Sequence, residues 1–433
     1  MSTLFAIFGM DMDVAALVRA MRNNTHLTEL YASSHALVPR TAALLADMLA
    51  GSGSLRALCV GDAGLGDEGV EALARGVASS SSLTRLDLTG KGVGAHGAAA
   101  LAGALTACAS LSHLVLSANP KLGDAGLAAL CNGAPVPGDG PTAPPVPVVA
   151  WAGLATLELQ GCGVTAAGVR ALAESPNCGR LVVLRLDGNQ LGPEGGGALR
   201  ALLQSAAQLR ELHLRGTELG DEGGEELAGG LAASASDAAE GGRPKLQLDL
   251  GDCGLGPKTI AALSSAFTAG ATLASLSLAA NGSVADGEVA RLARALESRG
   301  AEALPHLDLS ATQAGPLAVE ALSRMPGLQH LSLVGCPLRA SGAAALASSL
   351  SAGGWGSLEE LCISGTGLAS ADAGPLFGAL AEGGAPKLKS LEVGANPAAQ
   401  DDGFQALLQK LRSARDDLAV YWRSGDDPVP VVS

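Results

Sequence analysis

The frame Leu-x-x-Leu-x-Leu returns down this chain at a nearly fixed spacing, and that spacing limits the fold more than any other feature. It starts at Leu55, Leu83 and Leu111, 28 residues apart each time, and again at Leu154, Leu181, Leu209, Leu273, Leu304, Leu328, Leu358 and Leu388. A slipped copy at 245–250 and a first copy at Leu27 bring the total to thirteen, most of them 27 to 31 residues apart. The second and third leucines of a frame, such as Leu86 and Leu88, sit two apart and so share one face of a short strand. A helical stripe follows at a period near 3.6, as in Val70, Leu73 and Val77. A one-faced strand and a one-striped helix cannot bury their apolar sides alone. Stacked copies cover each other, which predicts a continuous core built by repetition.

The repeat also explains a competing motif. Gly64, Gly66 and Gly69 follow the strand-like Leu58–Val60 as G-x-G-x-x-G, with Asp87 where a dinucleotide fold keeps its ribose-binding acid. The same loop recurs at 92–97, 122–126, 191–195 and 219–223, whereas a nucleotide fold needs it once. The glycines therefore mark turns. Few aromatics are present (five Phe, three Trp, two Tyr in 433 residues), so the core must be made of Leu, Val and Ala. A net charge of −14 repels nucleic-acid backbones and anionic lipid and points to a protein partner with a basic surface. Eight scattered cysteines suit a reducing compartment, cytoplasm or nucleus, rather than a disulfide framework. The N-terminus lacks the cationic lead-in of a signal peptide, and no apolar run is long enough to span a membrane.

The pattern L-x-x-L-x-L-x-x-N/C/T-x-L-G-D-x-G, with a full helix in each unit, resembles the ribonuclease-inhibitor type of leucine-rich repeat over roughly residues 11–422. That resemblance implies an α/β fold: a right-handed solenoid, or horseshoe, with a parallel sheet on the concave face and helices on the convex face. It also implies that the position eight after the first leucine turns inward to bond adjacent loops. Asn119, Cys162, Asn189, Thr217, Cys253, Asn281, Thr312, Cys336, Thr366 and Asn396 suit that role; Ala63 and Lys91 do not. Asp67, Glu68, Glu194, Asp221 and Glu222 fall where helix N-termini are expected. The expected organisation is an N-terminal capping helix within 1–24, the repeats over 25–412 and a cap strand with a frayed tail over 413–433. Pro- and Gly-rich insert loops are expected at 132–149 and 232–244. The chain opens part-way through a repeat, as a piece of a longer architecture would.

Residues two, four and six after each first leucine are expected on the exposed sheet face, where this fold usually binds. Candidate protein-binding residues there are Glu158, Arg185, Asp187, His213, Arg215, Asp249, His306, Asp308 and His330. On neighbouring strands Glu158 can pair with Arg185, and Asp187 with Arg215. No Ser/His/acid set singles out a nucleophile, and His306, Asp308 and His330 lack a visible third strong ligand. No catalytic, cofactor or metal site is expected. The leading expectation is a monomeric, non-enzymatic scaffold for a protein partner. A leucine-rich-repeat GTPase activator is the alternative, although the tail at 423–433 carries two acids rather than the strongly acidic run of that family. Local stretches are also similar to other leucine-rich regions, 14–49 to tropomodulin-type actin caps and 255–282 with 304–315 to the C-terminal leucine-rich region of Tonsoku-like scaffolds. These imply an actin- or chromatin-associated adaptor.

Overall fold

The computed structural model describes residues 2–5, 14–21, 24–33, 35–132, 150–237, 243–300 and 304–422. The chain divides into two compact units, Met1–Thr217 and Glu218–Ser433. The first unit alternates strands and helices: β1 (Ser2–Phe5), α1 (Val14–Met21), β2 (Leu27–Ser33), α2 (Pro39–Gly51), β3 (Ala57–Gly61), α3 (Gly66–Ser79), β4 (Arg85–Asp87), α4 (Ala95–Ala107), β5 (His113–Val115), α5 (Gly123–Asn132), β6 (Thr156–Glu158), α6 (Ala166–Ala173), β7 (Val183–Arg185), α7 (Gly195–Ser205) and β8 (Glu211–His213). The second unit continues with α8 (Gly220–Asp237), β9 (Leu246–Asp249), α9 (Pro257–Thr268), β10 (Leu273–Ser277), α10 (Asp286–Glu297), β11 (His306–Asp308), α11 (Pro316–Leu322), β12 (His330–Ser332), α12 (Arg339–Ser351), β13 (Glu360–Cys362), α13 (Ser370–Ala381), β14 (Ser390–Glu392), α14 (Asp402–Ala414) and β15 (Ala419–Tyr421).

Inside each unit every strand pairs in parallel with the next one in sequence. The thirteen leucine frames supply β2 to β14, and β15 falls within 413–433. The first strand was not expected. Its segment, Ser-Thr-Leu-Phe, is too short to hold a leucine frame, yet it pairs with β2 across a register shift at Ser2/Thr3. The slipped frame gives β9, and an irregularity between Leu273 and Ser275 restores the register in β10. Helix α1 lies within the expected N-terminal cap. Helix α8 runs through 232–237, so the start of the second expected insert is helical; 238–242, the first insert at 133–149 and the tail at 423–433 lie outside the described residues.

The core is what the periodicity demands. Leu83, Leu86 and Leu88 of one frame and Val70, Leu73 and Val77 of one helix are all fully buried. Helices pack on sequence neighbours, as α2 on α3 and α8 on α9. Among the described residues no helix is long and apolar enough to cross a membrane.

Two polar rails tie successive repeats together. At the inward bend, Asn189 donates to the carbonyls of Leu159 and Leu186 (2.8 and 2.7 Å), and its Oδ1 accepts from the amides of Cys162 and Val164. Asn281 repeats this pattern in the second unit with Leu250, Leu278, Cys253 and Leu255. The Cys162 and Cys336 thiols donate to Leu116 and Leu309 carbonyls at 3.0 and 3.1 Å. Burial pushes the Cys162 thiol up to about 11, which keeps it a donor. The early repeats differ, as expected. Ala63 is exposed, while Lys91 is buried and its Nζ donates to Ser33 Oγ at 2.7 Å.

The second rail corrects the expected role of the acids at the helix starts. Two of those acids, Asp67 and Asp221, and with them Asp124 and Asp286, accept from amides at the start of the helix in the following repeat. Asp221 takes the amides of Gly256, Lys258 and Thr259 and the Thr259 hydroxyl; Asp286 takes those of Gly315, Leu317 and Ala318. Asp67 reaches Gly94, and Asp124 reaches Thr165 and Gly168. A helix N-terminus offers free N–H groups and a positive dipole end, so a carboxylate from next door both caps and staples. Partial burial raises the Asp221 pKa, but the hydrogen bonds from Thr259, Lys258 and Gly256 outweigh it and hold the carboxyl below its ordinary range. Part of the glycine pattern follows. A Cβ on Gly94 would stand 2.9 Å from the Asp67 carboxylate, and one on Gly168 would stand 2.5 Å from that of Asp124.

Candidate functional site

The three-residue strands β4, β7, β8, β12, β13 and β14 bury their central leucine and leave the flanking residues half-exposed. Parallel sheets usually carry helices on both faces. Here the helices cover one face, and the other presents columns of polar side chains about 4.8 Å apart. Every candidate residue named from the sequence lies on this face or at its edge. The two units arrange theirs differently.

In the first unit, β6, β7 and β8 bring Glu158, Arg185 and His213 into register. The ion pairs are not those expected from adjacency. Glu158 lies 3.7 Å from Arg85, whose side chain reaches across β5, and Arg85 also lies 3.6 Å from Asp87. Arg185 pairs at 3.4 Å with Glu211 of β8, and the same carboxylate oxygen is 3.5 Å from His213 Nε2. That contact is too long for a hydrogen bond: Nε2 is buried and makes none. Asp187 accepts the Arg215 backbone amide at 3.0 Å, which ties the strand end and leaves the exposed guanidinium of Arg215 facing solvent. These half-exposed pairs contribute little stability, ~0–1 kcal/mol each. Their main effect is to fix the sign and position of charge.

In the second unit, Asp249 accepts the Gly251 amide at 2.9 Å. Across β10 to β13 the register lines up Ser275, His306, His330 and Glu360, with Ser277, Asp308, Ser332 and Cys362 beside them. The His306 and His330 rings stack at 4.1 Å with 5° between planes. His330 Nδ1 donates to Glu360 at 2.9 Å. Asp308 is held by the Ser277 hydroxyl (3.3 Å), the Ser310 amide (2.9 Å) and the Ser310 hydroxyl. Because the serines are short, these groups surround a hollow of about 310 Å³. Burial, then the neighbouring His330, lowers the His306 pKa against an opposing pull from Glu360. Burial, then Glu392, raises Cys362 to about 12, so its thiol is protonated and a poor nucleophile at neutral pH.

The structure therefore joins His306, Asp308 and His330 in one hollow of the second unit, and the partners it gives the candidate residues are Arg85 and Glu211 in the first unit and Glu360 and Cys362 in the second. The last four are legible as face positions in the sequence. What strand adjacency does not reveal is a long side chain reaching two strands over.

A family model of the Leucine Rich repeat matches residues 53–74, 107–131, 154–173, 181–199 and 208–228. Among solved structures, an internalin (inlF) from Listeria monocytogenes is similar with TM-score 0.50 and 15% identity, covering 95% of this chain and 94% of that one. The Rad7 and Elc1 complex in yeast contains a chain similar at TM-score 0.41 and 15% identity, with 85% and 83% covered. No curated protein matches. The repeated strand–helix unit, the inward Asn/Cys/Thr rail and one open sheet face define a stacked-repeat interaction fold. The chain carries leucine-rich repeats within residues 53–228, and its fold is that of leucine-rich repeat proteins.

Proposed function

We propose that this protein is a non-enzymatic scaffold that holds a protein partner with a basic surface on its open sheet face. The observation that carries the reading is the face itself, a parallel sheet covered by helices on one side and dressed with ordered, half-exposed charge on the other. Electrostatic complementarity of this kind steers encounter and sets specificity. The protonated Cys362 and the absence of an activated nucleophile among the described face residues favour binding over catalysis. The excess of acid over base in the chain, −14, sets the sign of the partner. The full helix in every repeat supports placement with the ribonuclease-inhibitor type. We further propose a monomer that works in cytoplasm or nucleus without nucleic acid, membrane or cofactor.

The test is affinity capture from native extract, compared by quantitative mass spectrometry. One variant replaces Arg185, His213 and Arg215 with Ala, a second carries Asp308→Asn with Glu360→Gln, and a third carries Arg75→Glu with Arg291→Glu on the helix side. The face variants should lose the proteins captured by the wild type while keeping its melting temperature, and the helix-side variant should retain them. Retention by both face variants with loss by the helix-side variant rejects the reading.

A further inference from the structure

The two outward positions on each of β9 to β14 read Gln247, Asp249; Ser275, Ser277; His306, Asp308; His330, Ser332; Glu360, Cys362; and Ser390, Glu392. Four carboxylates and two histidines stand there without one lysine or arginine. The hollow of about 310 Å³ lies within this strip. We propose that it receives a single arginine side chain of the bound protein, with the guanidinium flat on the free face of the His306 ring and donating to Asp308. The proposal deepens the sheet-face reading and rests on it.

Three features of the hollow suit that occupant. His330 covers one face of the His306 ring, so the opposite face looks toward β10, where Ser275 and Ser277 leave room. A planar cation stacks on such a face, and arginine does so better than lysine because its guanidinium is flat and weakly hydrated. Asp308 lies two residues further along β11, about 6–7 Å away at strand rise. Its carboxylate is fixed by three donors from Ser277 and Ser310 and keeps acceptor capacity for a forked partner. Glu360 holds His330 in place through its Nδ1 proton and adds negative charge at the far side.

The charged and titratable groups facing His306 are Asp308 on its own strand, His330 on β12, and Glu360 and Cys362 on β13; β10 presents only serines. His306 is held neutral by burial and by His330, so at neutral pH its ring accepts a cation on its face. Protonation below the ordinary imidazole range would set two cations against each other.

The experiment titrates capped Gly-Ser-Gly-Arg-Gly-Ser-Gly, and its lysine and citrulline counterparts, into the full chain. Binding is followed through the imidazole resonances, of which the chain has seven sets. The arginine peptide should shift His306 saturably, the lysine peptide should bind more weakly, and the uncharged citrulline peptide at least ~10-fold more weakly. Asp308→Asn, whose Oδ1 can still accept from Ser310 while its Nδ2 donates to the Ser277 hydroxyl, should weaken the arginine peptide ~10-fold. Ser275→Met fills the slot without changing charge and should abolish the shift. Binding should fall as pH drops below the ordinary imidazole value of about 6.5, and His306→Gln should remove that dependence. Equal binding of arginine and citrulline peptides, or arginine binding indifferent to both Asp308→Asn and Ser275→Met, overturns the proposal. Equal binding of arginine and lysine overturns the stacking assignment. A silent peptide alongside partner capture that still needs the sheet face refutes the arginine slot alone; capture indifferent to the face refutes the reading beneath it.

Discussion

The two units have the same kind of core and differ in dress. In the first, long side chains fill the sheet face: Arg85 reaches across β5 to Glu158, Arg185 meets Glu211, and both signs of charge are present. In the second, the same strand positions carry serines, two stacked histidines and only acids, and the short side chains leave a hollow. Backbone and leucines are indifferent to which set is attached, because outward residues make no demand on the core. The repeat therefore separates folding from recognition along a single strand: the central residue answers to the helices, its neighbours to whatever binds.

That separation has consequences of graded size. Leu212→Ala in the first unit and Leu331→Ala in the second should each cost ~2–5 kcal/mol, measured by urea unfolding, since both are fully buried or nearly so and the stack cannot collapse around the gap. A cost confined to one unit would break the claim that the cores are equivalent. Asp221→Ala should cost ~1–2 kcal/mol, because three amides and a hydroxyl of the next repeat lose their acceptor. The Asp221 pKa is lowered on folding, so its contribution is present above the ordinary aspartate value of about 3.9 and is lost as pH falls through the folded value. The variant should show a flatter loss of stability in acid than the wild type. His306 has the opposite sense of charge. Its lowered pKa means the unfolded chain takes up a proton first, so stability should decline as pH falls through about 6.5, and His306→Gln should lessen the decline. Arg185→Ala should change stability least, by ~1 kcal/mol or less, because its carboxylate partner is half-exposed.

The sequence carried the fold because burial obeys a period. Leu86, Leu88 and the Val70–Leu73–Val77 stripe announce their own orientation, and each of the thirteen frames became a strand. What the period does not encode stayed hidden. Ser2–Phe5 forms a strand without a leucine frame, because an edge strand can be held by backbone pairing. The residue type and position of Asp67, Asp124, Asp221 and Asp286 indicate a helix start but not whose helix they cap. On the sheet face, adjacency suggested Glu158 with Arg185, but an arginine long enough to reach over a strand chose differently. The stacked histidines were visible as face residues; the hollow beside them depended on the serines of β10, which carry no signal of their own.

Carboxyl footprinting of the purified chain, alone and with its captured partner, tests the central claim most directly. Glycine amide coupled through a carbodiimide marks accessible acids, and mass spectrometry reads each one. If the open sheet face is the binding surface, Glu211, Glu360 and Glu392 lose labelling in the complex, while Glu222 and Glu382 at the helices stay as reactive as before. Protection of Glu222 and Glu382 with the sheet-face acids unchanged would contradict the account.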